Sequence, residues 1–185
     1  TIFFHGAYYS VLKKLFSKVI IPAPVYYELI SIEKYKNVNS CLNSLVDENF
    51  VEIAEFDFDS PEEINFNLIR RGYWTDGNPI GVGESAAMAL AIENDGIVAS
   101  NNLSDVVDIC EDYGIPIITS SVILAFCLEL KIMSRDEIES VWQKILIETK
   151  QILPRETFEE YYRELFDRDC KKLLKGYDLE NHYKK

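Results

Sequence analysis

The chain has 185 residues, 48% of them hydrophobic and 27% charged, and carries a formal net charge of −12. That composition excludes a disordered chain, and the length fits one domain, or one domain with an appendage, around a real core. No apolar run approaches the roughly 18–20 residues that span a bilayer, and no basic-then-apolar leader opens the sequence, so a cytoplasmic protein without membrane contact is expected.

In chain order, SVLKKLF reads as the end of an amphipathic helix, and KVIIP as a short buried strand stopped by Pro22. Pro24 fits the first turn of the next helix, which carries VYYELISIEKY, because the missing N–H costs nothing there. A short helix over 37–46 and the strand-like FVEIAEF follow. Ser60 then caps a helix with Pro61 at its first position and acids in its first turn. RRGYWTDGNPIG is a polar loop punctuated by glycine and proline. VGESAAMALAIENDG reads as a tightly packed helix rich in small residues and closed by Gly96. IVAS is a four-residue strand, NNLSDVVDICEDYG a helix ending at Gly114, IPIITS a strand and SVILAFCLELKIM a helix.

Strand and helix alternating at this spacing predict a parallel sheet with crossover helices, an α/β fold. Ligands bind such sheets outside the carboxyl ends of the strands, which puts Ser100, Asn101, Asn102 and Ser120 on the functional edge. From Ser134 the strand rhythm is lost. Two amphipathic helices divided at Pro154 make residues 134–185 a C-terminal helical extension, packed on the 1–133 domain or on a partner.

With two histidines, His5 and His182, imidazole catalysis has little to work with. No GxSxG elbow, GxGxxG or GxxxxGK[ST] loop occurs. Cys41, Cys110, Cys127 and Cys170 are scattered without metal-ligand spacing and read as free thiols in a reducing compartment. Carboxylates remain. Glu28 lies on the helix after the first visible strand, Glu84 opens the small-residue helix, and Asp105 lies one turn into the helix after IVAS. Each by itself reads as a solvated or helix-start charge. Together at a sheet edge they require a cation, and hard, octahedral Mg²⁺ or Mn²⁺ is the natural occupant. The strong negative charge argues against a broadly phosphate-binding surface, so positive charge would have to gather locally, at Lys13, Lys14 and Lys18, at Arg70 and Arg71, or at Lys171, Lys172 and Lys175. It equally suits a basic protein partner.

The order VIIP, VYYEL, GVGESAAMALA, IVASNNLSDV, GIPIITSSVIL resembles a PIN domain, nearest to the toxin ribonucleases of toxin–antitoxin pairs. The resemblance covers roughly residues 10 to 133 and rests on the order and spacing of the segments rather than on any one of them. It implies a PIN-like three-layer fold with a short central parallel sheet flanked by helices. It also implies about four acids around one or two divalent metals. By resemblance the metal-binding and catalytic acids fall on Glu28, Glu84 and Asp105, and water or phosphate is placed by Asn102 and Ser120. Asn101 stands where many relatives carry an acid and orients a water at most. The family's first aspartate falls at or ahead of Thr1, and no Asp occurs before Asp47. Either the numbered chain opens within that motif, as is expected, or the acid is lost, which leaves three acids and counts against catalysis.

The resulting expectation is a Mg²⁺- or Mn²⁺-dependent endoribonuclease acting through metal-activated water, with an RNA substrate. An antitoxin or other protein on the C-terminal helices and a homodimer are further expected partners. The alternatives are a catalytically degenerate PIN-like interaction module and an unrelated α/β enzyme for a small phosphorylated ligand. The first keeps an open acidic edge without metal affinity. The second needs an enclosed pocket.

Overall fold

The computed structural model describes residues 8–31, 36–148 and 151–174. The expectations for the chain start, His5, Lys175 and His182 lie outside the described residues. Helix α1 (Tyr9–Leu15) leads into strand β1 (Val19–Pro22), and helices α2 (Ala23–Ser31) and α3 (Lys36–Asp47) lead to β2 (Val51–Ala54). These strands pair in parallel, Val19 opposite Val51 and Pro22 opposite Ala54. Helix α4 (Pro61–Arg70) starts as its sequence dictates, with the Ser60 side chain accepting from the Glu63 N–H and Pro61 in the first turn.

Helices α5 (Val82–Glu93) and α6 (Leu103–Tyr113) flank β3 (Val98–Ala99), which pairs in parallel with β4 (Ile117–Ile118). The parallel, helix-flanked arrangement is as expected, but it is two two-stranded ladders among the described residues rather than one continuous sheet. The second ladder is also shorter than expected, for local reasons. Pro116 has no N–H to give a ladder. Thr119 has already left the strand to cap α7 (Ser120–Glu129), its side chain accepting from the Val122 N–H. Gly114 ends α6 in the left-handed conformation, as expected. For α5 that role passes from Gly96 to Asp95, at φ 50°, a conformation a short carboxylate side chain tolerates. Gly96 serves instead as a point of close approach, where a Cβ would stand 3.3 Å from the Ala91 Cα.

The C-terminal segment forms α8 (Arg135–Glu148), α9 (Phe158–Glu164) and α10 (Phe166–Leu173). The expected second helix is broken at Leu165, whose φ of −124° bends the chain. Consecutive positions on a straight helix point about 100° apart; the bend lets Leu165 and Phe166 both enter the core. These helices pack on the core and complete it. Trp142, Phe158 and Tyr161 are fully or almost fully buried with Leu12, Leu42, Val51 and Leu124 in one cluster. A second cluster gathers Ile69, Met88, Val98, Val106, Ile109 and Ile117 from α4, α5, β3, α6 and β4. The two adjoin through β4 and the end of α10: Ile118 and Leu174 belong to the first, Ile117 and Leu173 to the second.

Among the described residues no helix is long and apolar enough to cross a membrane. None of the four cysteines forms a disulfide. Burial pushes Cys127 up to about 12, and burial followed by the charge of Asp167 pushes Cys170 up to about 11, so neither is a ready nucleophile.

Candidate functional site

The carboxyl ends of β3 and β4 are tied together by side chains. Asn101, just past β3, donates from Nδ2 to Ser120 Oγ at 2.9 Å and accepts the Ser120 backbone N–H on Oδ1 at 2.8 Å. Ser120 opens α7, so its N–H is one of the donors a helix start leaves unpartnered, and Asn101 satisfies it. The Ser120 hydroxyl oxygen accepts from Asn101, which leaves its own proton available to a further acceptor. Sequence spacing placed both residues on this edge; their mutual bonding follows from the parallel pairing of the two strands.

One residue on, Asn102 orders the start of α6. Its N–H donates to Ser100 Oγ at 3.1 Å, and its Nδ2 donates to Asp105 Oδ2 at 2.9 Å. Ser104 Oγ lies 2.9 Å from Asn102 Oδ1 and 3.1 Å from Asp105 Oδ1. Asp105, half-buried in the first turn of α6, therefore has one neighbour on each oxygen. A carboxylate offers about four lone-pair sites, so acceptor capacity remains. Ser104 was not singled out from the sequence; the Asn-x-Ser-Asp spacing is the local signal that would have found it.

Glu84 sits in the first turn of α5, half-buried, with its side chain folded back over Gly81. A Cβ at position 81 would stand 2.5 Å from Glu84 Oε2, so only glycine leaves the carboxylate where it is. Gly83 lets α5 lie against α2, where an added Cβ would meet Val25 Cγ2 at 3.2 Å. The same packing brings the helix of Glu28 beside the helix of Glu84, and Glu28 itself is exposed. Ser85, next in the chain, is fully buried, and its hydroxyl has no hydrogen-bond partner among the described residues.

The expected site residues thus divide. Asn101 with Ser120 and Asn102 with Asp105 form two hydrogen-bonded pairs on consecutive residues past β3, while Glu84 and Glu28 stand on two adjacent helices. Among the described residues no three carboxylate, imidazole or thiol side chains stand together as a ready metal-binding group, so Glu28, Glu84 and Asp105 are not gathered into one cluster. Their oxygens are directed locally, Asp105 to Asn102 and Ser104, and Glu84 onto Gly81. Comparison with protein-family models, curated proteins and solved structures finds no match.

Proposed function

We propose that the chain is a divalent-metal-dependent endoribonuclease that hydrolyses RNA phosphodiester bonds at the carboxyl edge of β3 and β4. The activity is taken from the resemblance to a PIN domain. The observation that carries it to this edge is that consecutive residues past β3 orient two groups, Asn101 the Ser120 hydroxyl with its spare proton and Asn102 the Asp105 carboxylate. Such an edge is where an open parallel ladder receives its ligands.

The chemistry of the donors fits the ion, which would have to draw the three carboxylates together. Glu28, Glu84 and Asp105 offer only hard carboxylate oxygens, which suit Mg²⁺ or Mn²⁺ rather than zinc. A bound ion of this kind lowers the pKa of a coordinated water and neutralises the leaving oxyanion. The chain's own residues do the positioning. Asn102 and Ser104 hold the Asp105 carboxylate in one orientation, and Gly81 leaves room for that of Glu84. Ser120 donates its remaining proton to a phosphate oxygen or a water, with Asn101 fixing the hydroxyl from behind. A net charge of −12 suits a basic protein partner.

The test is cleavage of a mixed pool of single-stranded and structured RNA by the full chain in Mn²⁺, in EDTA, and as Glu84→Gln. Cutting that requires the ion and is lost in the variant supports the reading. Equal silence from two folded proteins overturns it and leaves an interaction module of the same fold.

A further inference from the structure

On a chain this acidic, most of the described arginines and two of the lysines are spent on neighbouring acids. Lys13 pairs with Glu48, Lys18 with Glu52, Arg135 with Glu159, and Arg155 and Arg163 share Glu164. Arg70 and Arg71 differ. Both are exposed and neither has an ion pair among the described residues. Arg70 lies over the Phe66 ring, 5.9 Å from its centroid.

These two arginines run directly into a loop that is built rigidly. Gly72, at φ 78°, packs so closely on the far side of the loop that a Cβ would meet Asn78 backbone atoms at 2.8 Å. Backbone bonds from Gly77 N–H to Gly72 O at 2.9 Å and from Asn78 N–H to Thr75 O at 3.0 Å close it, and the Thr75 hydroxyl bonds the Asn78 carbonyl. Trp74 stacks on Tyr113 at 4.5 Å between centroids and pins the loop to α6. Held on this frame, Tyr73 is 71% exposed. Exposing a large aromatic ring on a fixed backbone, two residues from a pair of exposed arginines with no ion pair among the described residues, satisfies no need of the fold, although the loop also carries the exposed Asp76.

The loop also lies near Glu84, one of the proposed metal-binding acids. Asn78 touches Gly72 and is three residues from Gly81, a span of at most about 10 Å along the chain. Gly81 is the residue on which the Glu84 carboxylate rests.

We propose that Arg70, Arg71 and Tyr73 form a binding surface for single-stranded RNA flanking the bond to be cut. The guanidinium groups take backbone phosphates and the tyrosine ring takes an unpaired base. Planar, weakly hydrated guanidinium suits phosphate, and a rigid aromatic ring receives any base face, so the surface is selective for single strands over duplex without being selective for sequence. Its place beside Glu84 rests on the nuclease reading above, but its binding is measurable apart from cleavage.

The experiment measures binding of a labelled mixed-sequence single-stranded RNA oligonucleotide, and of the same RNA as duplex, by the full chain in EDTA at several salt concentrations. R70Q/R71Q should weaken single-strand binding and lower the slope of log affinity against log salt by about 1.4, two contacts at about 0.7 each. Tyr73→Ala should weaken it about tenfold, within the range for losing one base stack. Lys171→Gln/Lys172→Gln, on α10, should change neither. Each variant is first checked for an unchanged thermal transition. Undetectable RNA binding at low salt, equal binding by the arginine and tyrosine variants, or duplex bound as tightly as single strand each overturns the surface. A chain that binds through these residues yet never cuts RNA in Mn²⁺ upholds the surface and sinks the nuclease reading. One that cuts but binds independently of them does the reverse.

Discussion

Asn101 gives both hydrogen-bonding ends of its side-chain amide to a single residue, Ser120, nineteen positions away. Replacing Asn101 with Ala strands the buried Ser120 N–H at the start of α7. Leaving one such donor unmet costs about 1–3 kcal/mol. For a chain of this size that lowers the melting temperature by roughly 2–10 °C, read by thermal unfolding. Asn101→Asp should fall much less, because its carboxylate still accepts from the same N–H while the Ser120 hydroxyl turns to donate.

Gly81→Ala separates stability from the proposed chemistry. The new methyl collides only with the far end of the Glu84 side chain, which can swing away. Thermal stability should change by less than about 1 kcal/mol, the range of an ordinary surface substitution. Metal-dependent RNA cleavage should drop by more than about tenfold, because a carboxylate displaced by an ångström loses its catalytic geometry. Full activity in a variant of unchanged stability would remove Glu84 from the site.

Much of the element order is legible in the sequence because its signals are local. Ser60 with Pro61, Gly114 at the end of α6, and Pro22 closing β1 each act through their own backbone or that of a near neighbour. What is not legible is non-local. The bend at Leu165 exists because two adjacent apolar residues must both reach the core, and no residue at the bend announces it. At the site, the Asn102–Ser104–Asp105 group is readable from three residues in one turn, whereas the Asn101–Ser120 bond depends on strand pairing. The relation of Glu84 to Gly81 is likewise a matter of one rotamer, which residue types alone do not fix.

The C-terminal helices are part of the core, which predicts the fate of a shortened chain. Ending the protein at Met133 removes Ile138, Trp142, Phe158 and Tyr161 from the first cluster. A Trp-to-Ala truncation at a buried site alone costs about 3–5 kcal/mol, against a total stability of order 5–15. The shortened chain should show no cooperative urea transition by circular dichroism. A sharp transition would mean that residues before 134 fold as an independent unit.

Glu137 gives a pH dependence of known sign. It accepts from both the N–H and the hydroxyl of Ser134, at 2.8 Å each, and these bonds hold its carboxyl below the ordinary value of 4.5. A carboxyl whose folded value is depressed contributes stability that is complete well above its ordinary value and is lost as pH falls through the folded one. The wild type should therefore melt above Glu137→Gln at neutral pH, and the two curves should converge as pH falls below about 4.5. A gap that persists in acid would show that the charge is not what Ser134 holds.

Strand β4 is two residues long, and its neighbouring side chains enter different clusters, Ile117 one and Ile118 the other. Alternation of side chains across a strand makes this possible, and a slip of one residue would reverse both assignments at once. The dipeptide therefore acts as a rivet through two plates. Neither half of the molecule can loosen without pulling on it, so the amides beside it, Val98 bonded to Pro116 and Ser100 to Ile118, should be among the last to exchange with solvent.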